Sequence, residues 1–183
     1  MRRIALYWFL FLVPGLGGHE LGHIAGAWLQ GGQLVEVAVM PGLTIYPRIA
    51  RTANTGAVAW VRVQPPEALS GPARLAGAGT TLVMALAAAL ALLGRRWSGW
   101  RWHVLAAFAL FHWDMLTYTF LPQWGLCHWV FFGGSDAEPL EGWLEMGGSE
   151  VPFEVGVVLA SVLCTVALLR KQALPIRKLL SSD

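Results

Sequence analysis

Hydrophobic positions in this chain are grouped into four long runs, at about residues 4–29, 69–93, 102–121 and 151–169. Each run is close to the ~20 residues that a helix needs to cross the hydrocarbon core of a membrane. The pattern predicts one membrane domain, 1–183, because no repeat or low-complexity linker divides it. We expect the all-α class of integral membrane protein, with about four transmembrane helices.

Residues 33–64 interrupt this helical pattern. Two stretches rich in valine are separated by turn-forming proline, glycine and asparagine residues, a composition that favours strands. We expect a small β-hairpin between the first and second spans. Such a hairpin could hold an extended substrate by backbone pairing, or it could simply cover the helices.

The composition is typical of a membrane protein, which is surrounded by lipids. Hydrophobic residues make up 56% of the 183 positions and charged residues 13%, against roughly 25% charged in soluble domains. The mean hydropathy is +0.54. A net charge of +2 without a basic stripe gives no reason to expect a nucleic-acid partner.

The distribution of basic residues predicts the orientation. Nine of the 13 Lys and Arg residues lie in three segments: two at the N-terminus, three between the second and third runs, and four after the fourth run. Basic residues are retained on the cytoplasmic side of a membrane. We therefore expect a multi-pass protein of the cell membrane with both termini in the cytoplasm.

One turn of the first run carries three ionisable residues, His19, Glu20 and His23. Two histidines at i and i+4 share one face of a helix and can bind one Zn²⁺. Glu20 is then positioned to accept a proton from a metal-activated water and to pass it to a leaving amine. Because ionisable groups are costly inside a membrane, they indicate a functional site rather than a chance pattern.

The motif from His19 to His23, in an early membrane helix, resembles that of the site-2 protease family of intramembrane zinc metalloproteases. Residues 70–77 are similar to the Gly-Pro-containing helix beside the catalytic helix of that family, and residues 134–140 to an aspartate-bearing segment of its compact bacterial members. The resemblance implies a Zn²⁺-dependent peptidase that hydrolyses membrane-embedded or membrane-adjacent substrates, with Glu20 as the catalytic residue.

A catalytic zinc site needs a third protein ligand and one open position. The resemblance implies Asp136 as that ligand, although Thr119 and Ala137 stand where the family has asparagine and glycine. An alternative role for Asp136 is the N-cap of a short interfacial helix that the following residues predict.

Asp114 is a second candidate, because it lies inside the third run and a buried carboxylate needs a partner. At 1.5 Å per residue it stands about 18 Å above Trp102, while His19 stands about 22 Å above Ile4, so their depths are comparable. Its alternative is a structural ion pair. The remaining candidates are His112 and His128.

Two other functions stay open at this point. The chain could be a degenerate relative that serves as a structural or accessory subunit of a larger membrane complex. It could also be a transporter or metal carrier that uses His19, His23 and Asp114, although no inverted repeat is visible. Under the protease interpretation, the partner is a membrane-protein or peptide substrate.

Overall fold

The chain folds into helices, with a small four-stranded sheet inserted after the first helix. The computed structural model describes residues 2–39, 42–52, 59–65, 70–128 and 133–170, and of residues 2–8 and 10–12 only the backbone. In chain order the elements are α1 (Arg2–Leu29), β1 (Gln33–Val39), β2 (Leu43–Tyr46), β3 (Ala50–Arg51), β4 (Ala59–Gln64), α2 (Gly71–Gly94), α3 (Gly99–Ala109), α4 (His112–Phe120), a 3₁₀ turn (Pro122–Trp124), α5 (Glu138–Glu145) and α6 (Glu150–Leu169).

Three helical segments of the described chain are long and apolar enough to cross a membrane: Gly71–Gly94, Gly99–Trp124 and Glu150–Leu169. They coincide with the second, third and fourth hydrophobic runs. The first run forms α1, a helix of 28 residues, whose passage through a membrane stays a prediction. The count of four spans is therefore not confirmed.

The sheet is larger than the predicted hairpin, so the all-α class is not confirmed. Its strand order is β3-β2-β1-β4, with every neighbouring pair antiparallel. Val37 of β1 pairs with Tyr46 on one side and with Val61 on the other. The two valine-rich stretches do become neighbours, while β2, which is rich in β-branched and aromatic residues, pairs with the free edge of β1.

The sheet packs on the junction between α1 and α2 through a small cluster of Ala27, Val63 and Ala73. Residues 40–41 and 53–58, which include most of the predicted turns, lie outside the described residues. The sheet is thus anchored where α1 ends, about one turn beyond the motif from His19 to His23.

The third hydrophobic run contains a change of helical pitch just before Asp114. The N–H groups of Phe111, Trp113 and Asp114 each donate to the carbonyl three residues earlier, at 3.0 to 3.1 Å, which is the 3₁₀ pattern. The tighter turn leaves the Ala109 carbonyl without its usual helical donor. His112 Nδ1–H occupies that carbonyl at 2.7 Å.

Helix α2 lies at the centre of the molecule and contacts α1, α3, α4, α5 and α6. Its buried face consists almost entirely of small side chains, which allow close approach of neighbouring helices. The buried residues of α2 are Gly71, Ala73, Gly77, Ala78, Thr81, Ala85, Ala88, Ala89 and Leu92.

Candidate metal centre

Glycines on one side of α1 bring the His-Glu motif close to α2. A Cβ atom at Gly22 would lie 2.1 Å from the carbonyl oxygen of Ala76, and one at Gly26 would lie 2.6 Å from the Cα of Ala73. No real side chain fits at such distances. The residues one turn apart on the adjacent face of α1 therefore point into the contact between the two helices.

These residues are His19 and His23, which are 4% and 6% exposed. Their Nε2 atoms are 3.0 Å apart, and their ring planes meet at 69°. The ring of His23 sits directly over Gly77, where a Cβ atom would lie 2.3 Å from its Nε2. The structure thus brings the two predicted histidine ligands together.

The other ring nitrogen of each histidine is held by an acceptor. His23 Nδ1–H donates to the Ala73 carbonyl at 2.7 Å. His19 Nδ1–H donates to Asp114 Oδ2 at 2.8 Å, and the Thr81 hydroxyl donates to the same oxygen at 2.6 Å. Metal-binding histidines in proteins are commonly oriented in this way by a carboxylate or a carbonyl.

This arrangement fixes the chemistry of the facing nitrogens. A carbonyl oxygen can only accept, so the proton of a neutral His23 lies on Nδ1 and its Nε2 presents a lone pair. The same holds for a neutral His19 against Asp114. Two lone pairs 3.0 Å apart repel each other unless a cation, a proton or a metal ion, lies between them.

A carboxylate completes the group. Glu138, in the first turn of α5, places Oε2 3.4 Å from His23 Nε2 and 4.0 Å from His19 Nε2, and its side chain is 28% exposed. Burial alone would raise the pKa of Glu138. When the histidines are protonated, the hydrogen bond from His23 and the charges of His23, His19 and His128 outweigh burial and lower this pKa, which favours the carboxylate form.

The distances between the three candidate ligand atoms, 3.0, 3.4 and 4.0 Å, are near those around a tetrahedral metal ion. Zinc bonds of about 2.0 to 2.2 Å to nitrogen and oxygen separate neighbouring ligand atoms by about 3.3 Å. His19, His23 and Glu138 are a group whose ligand atoms all lie within 4.8 Å of one another. Two imidazoles and one carboxylate are also a donor set found in catalytic zinc sites, so these residues fit zinc.

Asp136, the expected third ligand, is not part of this group. Its side chain is 55% exposed, and its Oδ1 atom lies 3.8 Å from His128 Nε2. The N-cap of α5 is Ala137, so the alternative role of Asp136 is not realised either. The short helix itself was predicted correctly, but its first residue, Glu138, faces the histidines in place of Asp136.

The expected catalytic residue, Glu20, lies beside the group. It is half-buried and close enough to His19 and His23 for their charges to act on its carboxylate. Successive residues of a helix are about 100° apart, which puts Glu20 at the edge of the histidine face. On the side of Glu20 away from the histidines, Val13 and Leu21 are 58% and 62% exposed. This side of α1 is therefore accessible.

The remaining candidates have other contacts. Asp114 is adjacent to His19 and thus at the comparable depth that the sequence predicts, but it binds Nδ1 rather than the shared space at Nε2. His112 contacts the Ala109 carbonyl, and His128 donates from Nε2 to the Asp136 carbonyl at 2.6 Å.

Sequence reasoning missed Glu138, although one signal pointed toward it. Arg74 is the sole charged residue of the second hydrophobic run and therefore needs acidic partners. In the structure it pairs with Glu141 at 2.7 Å and Glu145 at 3.3 Å. Glu138 is one turn before Glu141 on the same face of α5. The ion pairs of α5 with Arg74 therefore also orient Glu138 toward α1.

Comparisons with known proteins found no matching family model, no matching characterised protein and no matching solved structure. The functional interpretation of this site therefore depends on its residues and their geometry.

Proposed function

We propose that this chain is a zinc metallopeptidase of the membrane that hydrolyses peptide bonds of membrane-embedded or membrane-adjacent substrates. The observation that supports it is the facing pair of Nε2 atoms, 3.0 Å apart, with each Nδ1 already engaged. In this proposal His19, His23 and Glu138 are the protein ligands. The fourth position stays open for water and substrate.

In this proposal the residues around the group have separate roles in the reaction. Zinc, when bound, supplies a Lewis acid that polarises the scissile carbonyl and makes a water acidic enough to react near neutral pH. Glu20 accepts the proton of the attacking water and delivers it to the leaving amine. Asp114 holds the His19 ring through Nδ1, so that its Nε2 keeps its direction during the reaction.

Access to the group is proposed from the open side of α1. Glu20 lies between the buried histidines and the exposed side chains of Val13 and Leu21. A substrate segment that approaches along this side would reach the histidine pair without separating α1 from α2. The substrate backbone would have to be extended at the histidine pair, because the peptide groups of a helical substrate are already hydrogen-bonded within that helix.

We further propose that α1 is a fourth span and that both termini are cytoplasmic. The length of α1 and the distribution of the basic residues support this topology. In a multi-pass protein of the cell membrane so oriented, the motif at residues 19–23 lies in the outer half of the first span.

A second candidate function is a structural or accessory subunit of a membrane complex that has lost catalysis. The observation that favours it is the departure from the protease pattern, with Thr119 and Ala137 at the positions of asparagine and glycine. Such a protein could retain the metal without cleaving peptides. The two candidates differ in what Glu20 does.

The test uses the full chain, purified in detergent and in lipid nanodiscs. We expect about one zinc per chain, lost on His19→Ala, and cleavage of a model membrane substrate that Glu20→Gln reduces by at least about 100-fold while zinc is retained. Glu150→Gln, at an exposed glutamate of α6, is the matched control. Zinc without any cleavage would favour the accessory function, and cleavage that survives Glu20→Gln would exclude the proposed mechanism.

A further inference from the structure

A buried histidine outside the proposed ligand set lies under the loop that leads into α5. His128 is 2% exposed, and its ring stacks on Tyr118 with 3.6 Å between the ring centroids and 26° between the planes. The ring of Tyr118 also contacts that of His19, with 4.7 Å between the centroids. Tyr118 thus connects His128 to the histidine pair.

Two hydrogen bonds from His128 hold this loop. Its backbone N–H donates to the Gly134 carbonyl at 3.0 Å, and its ring Nε2–H donates to the Asp136 carbonyl at 2.6 Å. The loop runs close to the ring, since a Cβ atom at Gly134 would lie 3.0 Å from His128 Cε1. Asp136 is only two residues before Glu138, so these bonds fix the start of α5.

We propose that His128 is a positioning residue for the metal centre, which anchors the backbone at Asp136 so that the Glu138 carboxylate reaches His19 and His23. The inference rests on the proposed function, because Glu138 needs this position only as a ligand. His128 binds the main-chain carbonyl of Asp136 and not its carboxylate. The side chain of Asp136 is therefore not required for metal binding.

The first test measures zinc affinity of the full chain by competition with a chelator. His128→Phe retains a ring for stacking on Tyr118 but loses the donor, and we expect zinc affinity to fall about 10-fold, as for the loss of other groups that orient ligands. His128→Gln retains a side-chain N–H and is expected to recover most of that loss. Asp136→Ala keeps the main-chain carbonyl that His128 binds and removes only an exposed side chain, so it should change the affinity by less than about 2-fold, the range usual for surface substitutions.

The second test asks whether His128 acts through Glu138. Co²⁺ replaces zinc, and the visible absorption of His128→Phe is expected to change in the same way as that of Glu138→Gln. In a double-mutant cycle, His128→Phe should weaken binding no further once Glu138→Gln is present. A merely structural role would leave the Co²⁺ spectrum unchanged and give independent losses.

Gly134→Ala provides the same test from the exposed side of the loop, should His128→Phe fail to fold. The added Cβ would lie 2.6 Å from Asp136 Oδ1 and 3.0 Å from His128 Cε1. The exposed Asp136 side chain can turn away, but the ring is buried, so the loop must move from it, and we expect a similar loss that is absent in the Glu138→Gln background. Independent losses in both cycles, or loss of zinc on Asp136→Ala, would overturn the role of His128. Zinc retained in His19→Ala would instead overturn the metal centre itself, whatever His128 does.

Discussion

The histidine pair and the Glu138 carboxylate belong to the same candidate site but are held in different ways. The histidines sit between α1 and α2, which are 28 and 24 residues long, and are nearly inaccessible. Glu138 begins a helix of 8 residues, is 28% exposed, and depends on a loop anchored by His128. Two of the proposed ligands are thus preorganised by helix packing, whereas the third can adjust.

The largest effect on zinc affinity is expected at Gly77, the glycine of α2 that leaves room for the His23 ring. In Gly77→Ala the new Cβ would overlap His23 Nε2, only 2.3 Å away, so the imidazole must leave its position. Overpacking of this kind costs about 1 to 3 kcal/mol, which corresponds to a loss of zinc affinity of about 5- to 150-fold. We expect the upper end, because the packed helices cannot separate locally.

The matched control is Gly79→Ala, on the same helix with no atom within 4 Å of the added Cβ. It should leave zinc affinity unchanged and increase helix stability by up to about 1 kcal/mol. Zinc affinity is measured by chelator competition and stability by thermal unfolding in the same detergent. Equal zinc affinities in the two variants would contradict the placement of His23.

A smaller effect on zinc affinity is expected from Gly142, the glycine at which α5, the helix that begins with Glu138, packs against α2. In Gly142→Ala the added Cβ would lie 2.5 Å from the Gly71 carbonyl oxygen and 2.8 Å from the backbone nitrogen of Leu75. Helix α5 must then move away from α2 and carry Glu138 with it. Because both histidines remain and a glutamate side chain is flexible, we expect a loss of zinc affinity of only about 10-fold, at the lower end of such effects.

Gly156→Ala, on α6 with open space around the added Cβ, is the control for Gly142→Ala. Co²⁺ spectra separate two explanations of any loss. If Gly142→Ala removes Glu138 from the metal, its spectrum should match that of Glu138→Gln. A loss of affinity as large as that of Gly77→Ala would mean that the two sides of the site are equally rigid.

This contrast also explains what the sequence could predict. His19 and His23 were predictable because their proximity follows from helical periodicity alone. The comparable depth of Asp114 and His19 followed from the sequence, since two spans that start at the same face can be compared at 1.5 Å per residue. In each case a regular element carries the information along the chain.

The third ligand could not be predicted in that way. Asp136 and Glu138 are two residues apart, and which of them faces α1 depends on the irregular backbone before α5 and on a hydrogen bond from His128. The strands β2 and β3 were missed for a similar reason. The place of β2 depends on pairing with β1, and that of β3 on pairing with β2, rather than on any local pattern.

The smallest effect is expected from an ion pair that also joins α5 to α2. Glu141 accepts from Arg74 at 2.7 Å, but the two side chains are 41% and 39% exposed, and Arg74 keeps Glu145 at 3.3 Å. An exposed pair contributes about 0.2 to 1 kcal/mol. Glu141→Gln should therefore weaken zinc binding at most about 5-fold, with Glu150→Gln as the control. A loss equal to that of Gly142→Ala would mean that charge, rather than close backbone contact, holds α5 in place.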